Sequence, residues 1–112
     1  MALQDGSQPV SARGRFYVKC AANAVTALTE STTGGTGKLG DEIDWLWIFP
    51  TTTTPGAVTL SDGGTSVWPW PGGITLADIR PIFVPLNIRS QVGGWTVTTP
   101  AGVTVLASGA FS

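Results

Sequence analysis

The sequence predicts an all-β fold: an antiparallel β-sandwich of about eight short strands, jelly-roll-like or immunoglobulin-like, with an extended N-terminal arm. Three observations predict it. Apolar and polar residues alternate with period two over short runs, the pattern of half-buried strands. Turn signals recur every ~8–12 residues. No amphipathic helical stretch of useful length interrupts them.

Residues 1–14 are polar and contain Gly, Ser and Pro, so they read as the arm. Fully stretched, they reach roughly 45–50 Å at ~3.3–3.6 Å per residue. The β-sandwich domain is expected over 15–112. Phe16–Ala22 is its first strand and Ala24–Thr29 its second, with Asn23 as a weak turn between them. Thr29–Gly40 is a Thr- and Gly-rich loop. Asp44–Phe49 places Trp45, Trp47 and Phe49 on one face, and Leu46 and Ile48 on the other. A strand apolar on both faces is expected to be covered on both sides.

Pro50 ends that strand, and Ala57–Ser61 begins the next. Asp62-Gly63-Gly64 is a strong tight-turn signal that pairs it with Thr65–Trp70 in a hairpin. Pro71, Gly72 and Gly73 break regularity, and Ile74–Ile79 is ambiguous. Ile82, Val84, Leu86 and Ile88 alternate with Phe83, Pro85, Asn87 and Arg89. Pro81 and Pro85 lack ladder donors, so this strand is expected at an edge or with a bulge. Trp95, Val97 and Thr99, then Val103, Val105 and Ala107, alternate around Pro100-Ala101-Gly102. That pattern predicts a terminal hairpin with a type I turn. It runs to the last residue, so a self-contained β module is expected.

At 112 residues the chain is one domain by size. Only 12% of residues are charged, about half the ordinary share. A small surface with so little charge favours self-association, so a homo-oligomer or permanent partner is expected. The net charge of −1 provides no electrostatic footprint for nucleic acid. Arg13, Arg15 and Lys19 cluster near the N-terminus, as a solvated arm or one that docks on an acidic surface. The N-terminus lacks the pattern of a signal peptide. No run approaches the roughly 18 apolar residues of a membrane span. Synthesis in the cytosol with no membrane partner is expected.

Catalytic chemistry has little to work with. The chain contains no His, which removes the usual base near neutral pH, the Ser-His-Asp arrangement and the commonest metal ligand. The single Cys20 lies in an apolar strand and reads as a buried thiol. Gly34-Gly35-Thr36-Gly37-Lys38 fails as a phosphate loop: position 32 is Thr, and Leu39 follows the lysine. Asp41, Glu42 and Asp44 lack calcium-loop spacing and read as solvated charges. No enzyme activity and no cofactor are expected.

The five tryptophans are the unusual inventory. Trp45, Trp47 and Trp95 fall in strand patterns and are expected in the core. Trp68-Pro69-Trp70 lies in a Pro- and Gly-rich stretch of the kind found at surfaces. With Arg13 and Arg15, it supplies the candidate partner contacts: Arg13, Arg15, Trp68, Pro69 and Trp70. The competing reading of that stretch is a cap folded over one end of the core.

The chain resembles the small β proteins of tailed-bacteriophage heads, the decoration or cement proteins. The resemblance is carried by Ile48-Phe49-Pro50-Thr51 with Gly56-Ala57-Val58-Thr59-Leu60, and by Gly93-Gly94-Trp95-Thr96-Val97 with Gly102-Val103-Thr104-Val105 and Gly109-Ala110-Phe111. It covers roughly residues 45–112. It implies a β-sandwich or jelly roll, often trimeric, that binds the exterior of the capsid through the major capsid protein and stabilises the shell. Many such proteins use an arm to tie down capsid subunits. The alternatives are a carbohydrate- or receptor-binding tail module using Trp68 and Trp70, and a head–tail connector. Deleting residues 1–14 is expected to leave the fold intact and weaken capsid binding. Unchanged affinity in co-sedimentation would refute the arm's role.

Overall fold

The computed structural model describes residues 15–30, 35–70, 75–76 and 78–112, with only the backbone of Trp68 and Pro69. The expected arm with Arg13, Gly34 of the glycine-rich loop, and the stretch 71–74 lie outside the described residues. Eight strands are present among them: β1 Phe16–Cys20, β2 Val25–Ala27, β3 Glu42–Pro50, β4 Val58–Asp62, β5 Thr65–Trp70, β6 Ile82–Arg89, β7 Trp95–Thr98 and β8 Val103–Ala110. They form two four-stranded sheets with orders β1-β8-β3-β6 and β2-β7-β4-β5. All the pairings are antiparallel.

The pairing has a simple logic. β1 pairs with β8, β2 with β7, β3 with β6 and β4 with β5. The chain is thus one long hairpin, rolled up so that β8 also meets β3 and β7 also meets β4. This is the connectivity of a jelly roll, and it decides against the immunoglobulin-like alternative. The tip of the roll is the predicted Asp62–Thr65 turn. Gly63 and Gly64 there have φ of +58° and +92°, as a type I′ hairpin requires.

The terminal hairpin is corrected. β7 and β8 lie in opposite sheets and do not pair. Thr99–Gly102 is a corner that carries the chain across the sandwich. The β1–β2 connection at Asn23 is a second corner, packed against the first. Asn23 N donates to Pro100 O at 3.0 Å, and Thr99 N to Ala24 O at 2.9 Å. The Thr99 hydroxyl donates to Ala21 O at 2.6 Å. Alternation predicts which side chains face inward but not the sheet, because both sheets point their apolar side at the same core. Val97, Val103, Val105 and Ala107 are indeed all buried.

The core draws on both inner faces. Cys20, Ile43, Leu46, Ile48, Val103 and Val105 meet Val58, Leu60, Trp70, Trp95 and Val97, with Leu28 and Phe111. Two expectations fail here. Trp70, expected at the surface with Trp68, is a core residue with 8% exposure. Trp45 and Trp47, expected in the core, are only half-buried. Other readings hold. β6 is an edge strand, and Cys20 is fully buried. Burial, slightly offset by a hydrogen bond with Thr26, pushes its thiol up to about 11.

Asp41, expected as a solvated charge, is 4% exposed. Its carboxylate accepts from Lys38 N at 2.9 Å, Ser112 N at 3.0 Å and the Ser112 hydroxyl at 2.6 Å. Its carbonyl accepts the Trp95 indole N–H at 2.9 Å. Ser112 is held from the other side as well: Thr29 Oγ1 donates to its carbonyl, as does Glu30 N at 3.1 Å. One residue just before β3 thereby fastens β7 and the segment after β8. Trp95→Ala removes both the largest buried side chain and this bond. It should cost about 3–5 kcal/mol, read from urea denaturation.

Candidate interaction face

The outer face of the first sheet is set by an irregularity in β3. Ile43 and Leu46 both point inward, three residues apart. Over the same stretch β8 advances two residues, from Gly109 to Ala107. The extra residue shifts the phase of the strand, and a shift of one position exchanges the faces of everything beyond it. Without it, Trp45 and Trp47 would continue the inward phase of Ile43. With it, Trp45, Trp47 and Phe49 face outward, and Leu46, Ile48 and Pro50 take the core. A compensating irregularity lies in β6, where Asn87 has φ +54°.

The strand register assembles these residues into rows across the sheet. One row runs Lys19, Leu106, Trp47, Phe83. The next runs Tyr17, Ser108, Trp45, Pro85. Phe49 lies beside Thr104 in a third. The rings touch: Phe83 is 4.8 Å from Trp47 and 6.0 Å from Trp45, and Trp47 is 6.3 Å from Phe49. Phe83 is 46% and Tyr17 66% exposed. The outer face of the second sheet is chemically different. Its rows are Val25, Thr98, Thr59 and Ala27, Thr96, Ser61, Ser66. One side of the sandwich is therefore aromatic and the other mostly small and hydroxyl-bearing.

A charged network closes one end of the aromatic face. Arg15 Nε donates to both Asp44 oxygens at 2.9 and 2.8 Å, and its Nη2 to Glu42 Oε1 at 2.7 Å. Arg89 Nη2 donates to Glu42 Oε2 at 3.0 Å. Arg15, and then Arg89, hold the Glu42 carboxyl below its ordinary value. The hydrogen bonds to Asp44 and then to Glu42 hold the Arg15 guanidinium protonated above its own. These groups, with Ile43, Asn87 and Ile88, line a shallow recess beside the stripe.

The sequence-predicted contacts do not converge. Arg13 lies outside the described residues. Arg15 pairs with Asp44 and Glu42 within the domain. Trp68 and Pro69 belong to β5, at the edge of the second sheet, and their side chains lie outside the described residues. Trp70 is in the core. The residues that do converge are Trp45, Trp47, Phe49, Phe83 and Leu106. The available signal was that both phases of residues 45–49 are apolar. It predicts coverage on both sides, whereas one phase is the core and the other a surface.

The remaining buried acid is also committed to structure. Asp62 is 5% exposed, and it accepts from the backbone N–H groups of Gln91 at 2.7 Å, Val92 at 3.2 Å and Gly93 at 3.0 Å. Among the described residues no group of His, Cys, Asp and Glu is placed to hold a metal, and no helix is long and apolar enough to cross a membrane. Comparison with protein-family models, with curated proteins and with solved structures returns no match for this chain. Fold and surface chemistry alone bear on function.

Burial pushes the Asp62 carboxyl up, but the three N–H bonds outweigh it and leave it below the ordinary value. Its stabilisation is then present above an ordinary aspartate pKa of ~3.9 and lost as pH falls through the lower folded value. Asp62→Asn should be less stable by about 1–3 kcal/mol at pH 7. The gap in urea midpoints should close as the pH is lowered through the depressed value of the folded carboxyl. A gap independent of pH would refute the charge-based account.

Proposed function

We propose that this chain is a non-enzymatic structural protein of a phage virion: a decoration subunit that binds the major capsid protein on the outside of the shell and stabilises it. The observation that carries this reading is the aromatic outer face of the first sheet. A large apolar patch on a protein with few charges is the ordinary mark of a protein–protein contact, and exposed aromatic rings are the usual centres of binding energy. The jelly-roll connectivity agrees by analogy of fold, since viral capsid domains use it widely. The mechanism is mass action. A subunit that binds only the assembled lattice stabilises the lattice by its own binding free energy.

The tail-module alternative is less well supported. It relied on Trp68 and Trp70 as a platform for sugar rings, and Trp70 is buried. On the aromatic face, Phe83 lies at 50° to Trp47 and 48° to Trp45, so the three rings do not form one flat surface. A head–tail connector would instead be found as a ring of defined copy number at one vertex.

Purified protein should co-sediment, in many copies per particle, with capsids that lack it, and raise the temperature at which they disrupt. Phe83→Asp places a charge against the Trp45 and Trp47 rings. It should leave the fold intact, as checked by circular dichroism, and weaken capsid binding at least tenfold, about 1.4 kcal/mol. Absence of binding by the wild-type protein would overturn the reading. Full binding by Phe83→Asp would move the contact off this face.

A further inference from the structure

Two four-stranded sheets have four edges, and three are blunted. β2 is three residues long. β5 contains Pro69. β6 contains Pro85 and the positive-φ residue Asn87. Short length, proline, local distortion and charged side chains are the usual means by which edge strands avoid pairing with another chain. β1 has none of the first three, and its one charged side chain is Lys19. The strand is five residues without Pro or Gly, in unbroken register with β8 from Phe16 to Cys20. Among the described residues nothing pairs with its other side.

We infer that β1 pairs antiparallel with β1 of a second copy, about a two-fold axis at Val18, joining two first sheets into one eight-stranded sheet. The residues select both the occupant and the register. Centring at Val18 sets Phe16 opposite Cys20, Val18 opposite Val18, and Tyr17 opposite Lys19 twice. Tyr17 and Lys19 are exposed on the outer face, where each ammonium then meets a phenol ring. Centring on Lys19 would oppose two ammonium groups, and centring on Tyr17 would oppose Arg15 and Lys19. Only the Val18 register pairs all five residues without opposing like charges. Such a contact is isologous and closes with two chains. It also sets the two aromatic stripes on one continuous face, with β8 and β1 of each copy between them. The inference concerns the free protein and stands independently of the capsid reading.

Sedimentation equilibrium of the full chain tests it. A monomer–dimer equilibrium is expected. Tyr17→Lys places ammonium groups opposite each other at both outer pairs and should weaken the dimer at least tenfold, while the melting temperature of the dilute monomer stays that of the wild type. Oxidising an equimolar mixture of Tyr17→Cys and Lys19→Cys chains should yield a covalent dimer that neither yields alone. Native Cys20 is buried, with its thiol pushed up to about 11, and competes little. A monomer at all concentrations, a trimer, a dimer indifferent to Tyr17→Lys, or cross-linking of either variant alone would overturn the proposal.

Discussion

The structure depends on closing a rolled hairpin over one shared core. Four ladders follow from folding the chain back at Gly63-Gly64, but they enclose nothing by themselves. The enclosure comes from β8 against β3 and β7 against β4. The β3–β8 ladder runs from Glu42–Ala110 to Pro50–Val103, and it brings residues from opposite halves of the chain to the middle of the first sheet. Nearly all the sheet pairing is remote in sequence, which is the costly kind to form because loop closure precedes the reward. Asp41 sits where the closure is made. Its carboxylate holds Ser112, just after β8, and its carbonyl holds the Trp95 indole of β7.

The bulge in β3 links this architecture to the surface. Residues 43–49 contain more large apolar side chains than one face of a strand can bury. Shifting the phase at Asp44 divides them, with Ile43, Leu46 and Ile48 in the core and the aromatic residues outside. Close contact accompanies the division. A Cβ on Gly109 would lie 2.1 Å from the Glu42 carbonyl and 2.9 Å from the Ile43 Cα, so glycine is the residue that lets β8 pass this point. Arg15 and Arg89 bind the acids flanking the shift. The charged network and the aromatic stripe are thus adjacent results of one local irregularity.

Much of the fold was legible. The strand runs, the tight turn at Asp62-Gly63-Gly64 and the edge character of the Pro85 strand all follow from period, turn chemistry and the missing proline donor. The buried thiol of Cys20 and the inward phase of Trp95, Val97, Val103 and Val105 were legible for the same reason: a half-buried strand shows its apolar side in its spelling. The site was mostly illegible. Trp70 looked external because it neighbours Pro and Gly, yet its ring packs among core residues. Trp45 and Trp47 looked internal because they are apolar, yet the core beside them was already filled by Leu46 and Ile48. Asp41 looked solvated because it is charged, and it is buried because backbone and hydroxyl donors meet it there.

What the sequence determined by itself was therefore local: which segments are strands, which of their phases is apolar, and where the chain turns tightly. Tertiary structure alone decided which strand lies beside which, that Thr99–Gly102 crosses between sheets rather than closing a hairpin, and which apolar face of β3 stays outside. The physical reason is that a period of two is identical in both sheets. Partner and phase are set by hydrogen-bond registers between residues far apart in the chain, and one inserted residue at Asp44 is enough to exchange inside for outside.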